Sequence, residues 1–238
     1  MRAAGRILGG ALGMIEPYVV PGTTTGELER RIDEYIRDRG GVPAFKGYHG
    51  FPGSICASVN EEVVHGIPGR RVLEDGDILG VDAGVLKDSY YSDAARTFPV
   101  GEISKSARKL LRVTEDALRK GIEKARSGNR LSDISHAVEQ TAEVAGFSVV
   151  RVLVGHGIGQ QMHEEPQIPN FGPPGRGVLL KGGMTLAIEP MVNVGGADVV
   201  TLDDDWTVVT KDRSLSAHFE HTVVVGDGGA EILTASSP

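Results

Sequence analysis

A repeat inside the chain constrains its fold more than any other feature. Ala11-Leu12 and Ala117-Leu118, Gly22 and Gly128, and Gly40 and Gly146 are each separated by 106 positions, and both segments read as helix, loop, helix and glycine. Farther on, LEDGDILGVDAGV from Leu73 aligns with LKGGMTLAIEPMV from Leu180 at an offset of 107, which sets Asp82 against Glu189. A chain built this way is expected to fold as one domain of two related halves, about residues 1–103 and 104–238, with its working site where the halves meet.

The local signals fit helices alternating with strands. Thr24-x-x-Glu27 has the form of a capping box, Leu28, Ile32, Tyr35 and Ile36 share a helical face, and Gly40 stands where a helix stop belongs. Apolar spacing predicts a second helix over 104–128, and Ser132 is expected to open a third that stops at Gly146. Arg2 and Arg6 precede an apolar run near the start. Glu16 follows it with no small-residue cleavage site, so an amphipathic helix is expected rather than a signal peptide. Short apolar strands, Ile78 to Val81 and Leu186 to Ile188, are each predicted to end in a carboxylate, Asp82 and Glu189.

Composition narrows the function classes. With 238 residues a substantial core can form, and the net charge of -7 argues against a nucleic-acid or anionic-membrane binder. No stretch approaches the roughly 20 apolar residues that span a bilayer. Cys56 is the single cysteine, which rules out an intrachain disulfide and a zinc ribbon and suits a reducing compartment.

The candidate chemistry lies in acids on or beside strands. Asp82 and Asp93 fall in the first half, Glu189 and Glu220 in the second. Four converging carboxylates cannot be buried together without cations or protons, and two divalent ions balance their charge. His156, within VGHGIGQQMHEEP from Val154, is the candidate neutral nitrogen ligand, and its glycine neighbours favour a strand running into a loop over a helix. Such an oxygen-rich set suits Mn, Fe, Co or Zn, and the natural reaction is metal-assisted hydrolysis.

At this point the chain resembles the bacterial type I methionine aminopeptidases over essentially its whole length. The resemblance rests on MIEPYVVPGTTTGEL, GYHGFPGSIC, VVHGIP, VDAG, GHGIG, AIEPM and KDRSLSAHFEHT, present in one order. It implies an α+β pita-bread fold, a pseudo-two-fold antiparallel sheet backed by helices, in a single catalytic domain. By matching motif, the implied ligands of two divalent ions are Asp82, Asp93, His156, Glu189 and Glu220, with Asp93 and Glu220 bridging. Glu189 would also act as general base, His163 would face the scissile carbonyl or its oxyanion, and His65 would contact the scissile nitrogen. The implied methionine pocket is Tyr48, His49, Phe51, Cys56, Met162 and Trp206, with Phe45 nearby. Phe51 stands where the family often has tyrosine, and Met162 where it often has phenylalanine.

The resemblance further implies a cytoplasmic monomer that removes the initiator methionine from nascent chains with a small second residue, and it admits the ribosome as a partner. By the same resemblance the simple bacterial class is expected, without an N-terminal zinc-binding extension or an inserted helical subdomain. Prolidases and Xaa-Pro aminopeptidases use a similar ligand set and are the alternative. A more distant rival takes His163, Glu165 and His218 as a two-histidine, one-carboxylate iron site.

Overall fold

A computed structural model describes residues 1–235. Four helices flank its sheets. Helix α1 (Arg2–Ile15) buries Ala4, Leu8, Ala11, Leu12 and Ile15 and runs into a short 3₁₀ turn at Glu16–Tyr18. Helix α2 (Thr25–Asp38) forms half of the expected capping box: the Thr24 hydroxyl accepts from the Glu27 N–H at 3.2 Å, while the Glu27 carboxylate accepts from Arg31 instead, and the helix buries Leu28, Ile32 and Ile36. Helix α3 (Lys105–Lys124) is capped by Ser104 and ends four residues before Gly128. It stops there because Ala125 leaves helical geometry and the turn that follows is tied by the Gly128 N–H to the Leu180 carbonyl.

Helix α4 (Leu131–Val144) opens one residue earlier than expected. Its first turn is closed by the Asp133 carboxylate accepting from the Arg130 N–H, while the Ser132 hydroxyl accepts from the Arg176 N–H in another loop. The repeated glycines share a backbone requirement: Gly22 and Gly128 have φ of 93° and 91°, and Gly40 and Gly146 have 69° and 86°. Only glycine adopts this left-handed turn without steric cost.

The helix pairs cover two separate apolar clusters. Helices α1 and α2 pack on Ile55, Leu79, Val81, Val85 and Phe98; α3 and α4 pack on Leu186, Ile188, Val192, Phe219 and Val223. In the first region the strands Ile78–Lys87 and Tyr90–Pro99 form a hairpin, and Ile55–Val59 pairs with the former. Asp82 therefore lies within a strand rather than at its end, because the hairpin partner carries the ladder on to the turn at Asp88 and Ser89. In the second region an antiparallel sheet has the order Glu231–Ile232, His221–Val224, Thr185–Ile188, Gly155–Gly157, Glu164–Ile168.

The two regions are joined along a seam. The Glu220 N–H donates to the Ala95 carbonyl at 2.8 Å; the Thr222 hydroxyl accepts from the Asp93 N–H and donates to the Asp93 carbonyl. The Thr97 hydroxyl makes the same two-way link to His218. No helix among the described residues is long and apolar enough to cross a membrane.

Candidate metal centre

Strand register explains how the acids converge. Asp82 is opposite Ala95, and Asp93 is opposite Gly84, so with a side-chain period of two both carboxylates leave the hairpin on the same face. Cys56, opposite Asp82, shares that face. In the other sheet His156 pairs with Ala187, two residues before Glu189, which gives the imidazole and the Glu189 carboxylate a common side. Glu220 arrives through the seam, beside Asp93.

Ligand atoms of Asp93, His156 and Glu220 lie within 4.8 Å of one another. His156 Nε2 is 3.5 Å from the Glu189 carboxylate, and Glu189 in turn lies 3.9 Å from His218 Nε2. Three oxygens of this group, Asp82 Oδ1, Asp93 Oδ1 and Glu220 Oε1, are buried without a hydrogen-bond partner. Unpartnered buried acceptors are costly. The tautomer of His156 adds to this: its Nδ1 is 2.9 Å from the Gly157 carbonyl, which can only accept, so the proton is on Nδ1 and the Nε2 lone pair faces the acids. A lone pair and orphaned carboxylate oxygens around one centre are what divalent ions satisfy, and the donor set fits them.

Electrostatics point the same way. Burial, reinforced by the neighbouring acids, pushes Asp82, Glu189 and Glu220 well above the usual carboxylate range, and burial lifts Asp93 to about 7. Burial brings His156 down to about 4 and lowers His65 and His163, so the imidazoles around the centre are neutral at neutral pH.

A cavity of about 240 Å³ opens onto this cluster. Its wall contains every residue that the aminopeptidase resemblance implied: the five candidate ligands, His65 and His163, and Tyr48, His49, Phe51, Cys56, Met162 and Trp206, together with Phe45. Phe51 meets Trp206 edge to face at 5.1 Å, and Trp206 is fixed by its N–H on the Asp204 carboxylate. His65 is held at a left-handed φ of 61°, an uncommon backbone state for a residue with a side chain. Glu165 is exposed and absent from this wall, so His163, Glu165 and His218 do not form a site. His218 was not singled out as a residue of this cluster, yet it is buried with its Nε2 unpartnered 3.9 Å from Glu189. No local sequence signal marks it, because all three residues of its short strand, Ser216–His218, are buried.

The glycines flanking His156 have a steric reason. A Cβ at Gly155 would collide with the Ala187 carbonyl, and one at Gly157 with that of Glu165. Gly155→Ala is expected to cost about 1–3 kcal/mol and to displace His156, read as a lower Tm together with weaker metal binding. Unchanged Tm and metal content would show that the strand has room there.

A buried carboxylate and imidazole cluster under an apolar cavity, on antiparallel sheets backed by helices, defines a metal-dependent hydrolase of the pita-bread class. The chain belongs to metallopeptidase family M24, whose model matches residues 1–227. It is similar to a methionine aminopeptidase of Clostridium perfringens, at 57% identity over 98% of this chain and 94% of the relative. A crystal structure of methionine aminopeptidase from Thermotoga maritima superposes with a TM-score of 0.97 at 48% identity, covering 98% and 94% of the two chains. A Xaa-Pro dipeptidase from Bacillus anthracis, 21% identical, shares the fold at a TM-score of 0.79, with 99% of this chain matched to 59% of the other.

Proposed function

We propose that this chain is a metal-dependent methionyl aminopeptidase, releasing the initiator methionine from peptides and nascent chains, with preference for a small second residue. The observation that carries the reading is the apolar, sulfur- and ring-lined cavity ending on the acid cluster, because such a wall suits a thioether and the acids at its end suit hydrolysis. The 57% identity to a methionine aminopeptidase supports it over the Xaa-Pro alternative.

In this reading residues 1–238 form one catalytic domain whose halves, about 1–103 and 104–238, contribute two acids each. Asp82, Asp93, His156, Glu189 and Glu220 would hold two divalent ions drawn from Co, Mn, Fe and Zn. When bound, such ions polarise a carbonyl and make water a nucleophile at neutral pH. Glu189 takes the proton of the attacking water, His163 hydrogen-bonds the developing oxyanion, and His65 contacts the scissile nitrogen. Tyr48, His49, Phe51, Cys56, Met162 and Trp206 hold the methionine side chain. The protein acts as a cytoplasmic monomer on chains emerging from the ribosome.

The test loads the protein with Mn, Co, Fe or Zn in turn and measures products from Met-Ala-Ser, Met-Lys-Ser and Ala-Pro by mass spectrometry. Free methionine from Met-Ala-Ser, little from Met-Lys-Ser and no cleavage of Ala-Pro are expected. Cleavage of Ala-Pro without methionine release would overturn the reading in favour of a prolidase-like enzyme.

A further inference from the structure

We propose that the Tyr48 hydroxyl donates a hydrogen bond to His163 Nδ1 and so holds the His163 imidazole in the tautomer that carries its proton on Nε2. The inference rests on the reaction assigned above and adds a positioning residue to it. Tyr48 then does more than line an apolar wall: it decides whether His163 can donate to a carbonyl oxygen at all.

The Tyr48 Oη to His163 Nδ1 separation is 2.7 Å. Either the phenol donates to a bare Nδ1, or an Nδ1–H donates to the phenol oxygen. Three considerations favour the first. A separation of 2.7 Å is ordinary for a hydroxyl donor and short of the 2.9–3.0 Å typical of an N–H donor. A phenol O–H is far more acidic than the N–H of a neutral imidazole, and imidazole nitrogen is the better acceptor, so the phenol-to-nitrogen direction is the stronger bond. The reverse tautomer would leave an Nε2 lone pair in a cavity already walled by four carboxyl groups, where an approaching substrate carbonyl also needs a donor.

The phenol is also delivered rigidly. The Tyr48 N–H bonds the Phe45 carbonyl, the Phe51 N–H bonds the Tyr48 carbonyl, and the Gly47 N–H bonds the Phe51 carbonyl, each between 2.8 and 2.9 Å. Gly47 at φ 83° and His49 at φ 48° make the turn that aims the ring. The two rings sit 5.4 Å apart and tilted by 32°, so the hydroxyl reaches the ring nitrogen from the side. Burial holds the Tyr48 phenol above its usual pKa, which keeps the donated proton in place across the neutral range. With Nδ1 occupied, Nε2 is the nitrogen His163 has left for substrate.

The experiment compares zinc-loaded wild type with Tyr48→Phe, both labelled with ¹⁵N-histidine, by long-range ¹⁵N–¹H correlation, with His163→Gln identifying the His163 signals. Wild type is expected to show the Nε2–H pattern, and the variant to move toward Nδ1–H. In parallel, kcat on Met-Ala-Ser should fall about 10-fold to 100-fold in Tyr48→Phe with KM unchanged, since the ring itself remains in the wall. An Nδ1–H pattern in wild type, or a variant with the same His163 signals and the same kcat, would overturn the proposal. If the wild type released no methionine, the assigned reaction would fail while the spectra still decided the tautomer.

Discussion

Replacing Asp93 by asparagine is expected to cut methionine release by at least about 10³-fold, equivalent to about 4 kcal/mol of lost transition-state stabilisation. Asp93 is 5% exposed, its backbone is clipped on both sides to the Thr222 hydroxyl, and its ligand atom lies among those of His156 and Glu220. An amide of nearly the same shape keeps that placement but removes one of the four negative charges that cations would balance. Metal analysis after dialysis should therefore show fewer than two ions per chain. The effect on the chelated protein runs the other way, because a buried carboxyl pressed against Asp82 is replaced by a neutral group. At pH 8 with chelator, Asp93→Asn should melt above wild type. Near-normal turnover with two ions bound would remove Asp93 from the ligand set.

His163→Ala is expected to slow turnover by about 10²–10³-fold, the range seen when one donor to a developing oxyanion is lost. His163 keeps more solvent access than the acids, and its Nδ1 is engaged by Tyr48 rather than by the cluster. Its removal should leave metal content and Tm close to those of wild type. The loss should appear in kcat more than in KM, because the ring-lined wall that holds the methionine side chain is intact. Full turnover in this variant would take His163 out of the chemistry, and loss of metal would mean that it supports the centre instead.

Much of this architecture could be read from local chemistry. The Thr24 hydroxyl cap, the helix stops at Gly40 and Gly146 and the strand preceding Glu189 depend only on neighbours in the chain, and each emerged where expected. The length of the strand through Asp82 did not, since its last residues are held by the hairpin partner and not by their own hydrophobicity. Nor did the opening of α4, where Ser132 serves a loop 44 residues away. The acids could be listed from sequence, but their convergence depends on a seam linking Asp93 to Thr222, 129 residues apart. His218 was missed as a neighbour of the centre because nothing local marks a histidine whose free nitrogen faces Glu189. The 2.7 Å contact of Tyr48 with His163 joins residues 115 positions apart and is likewise invisible to spacing.

The hydroxyl of Thr222, gripping the main chain of Asp93 from both sides, makes ion capture a property of the assembled lobes. Each lobe supplies two of the four acids, so under the proposed ligand set any ions held there would act as rivets between the lobes, and unfolding one lobe would release them.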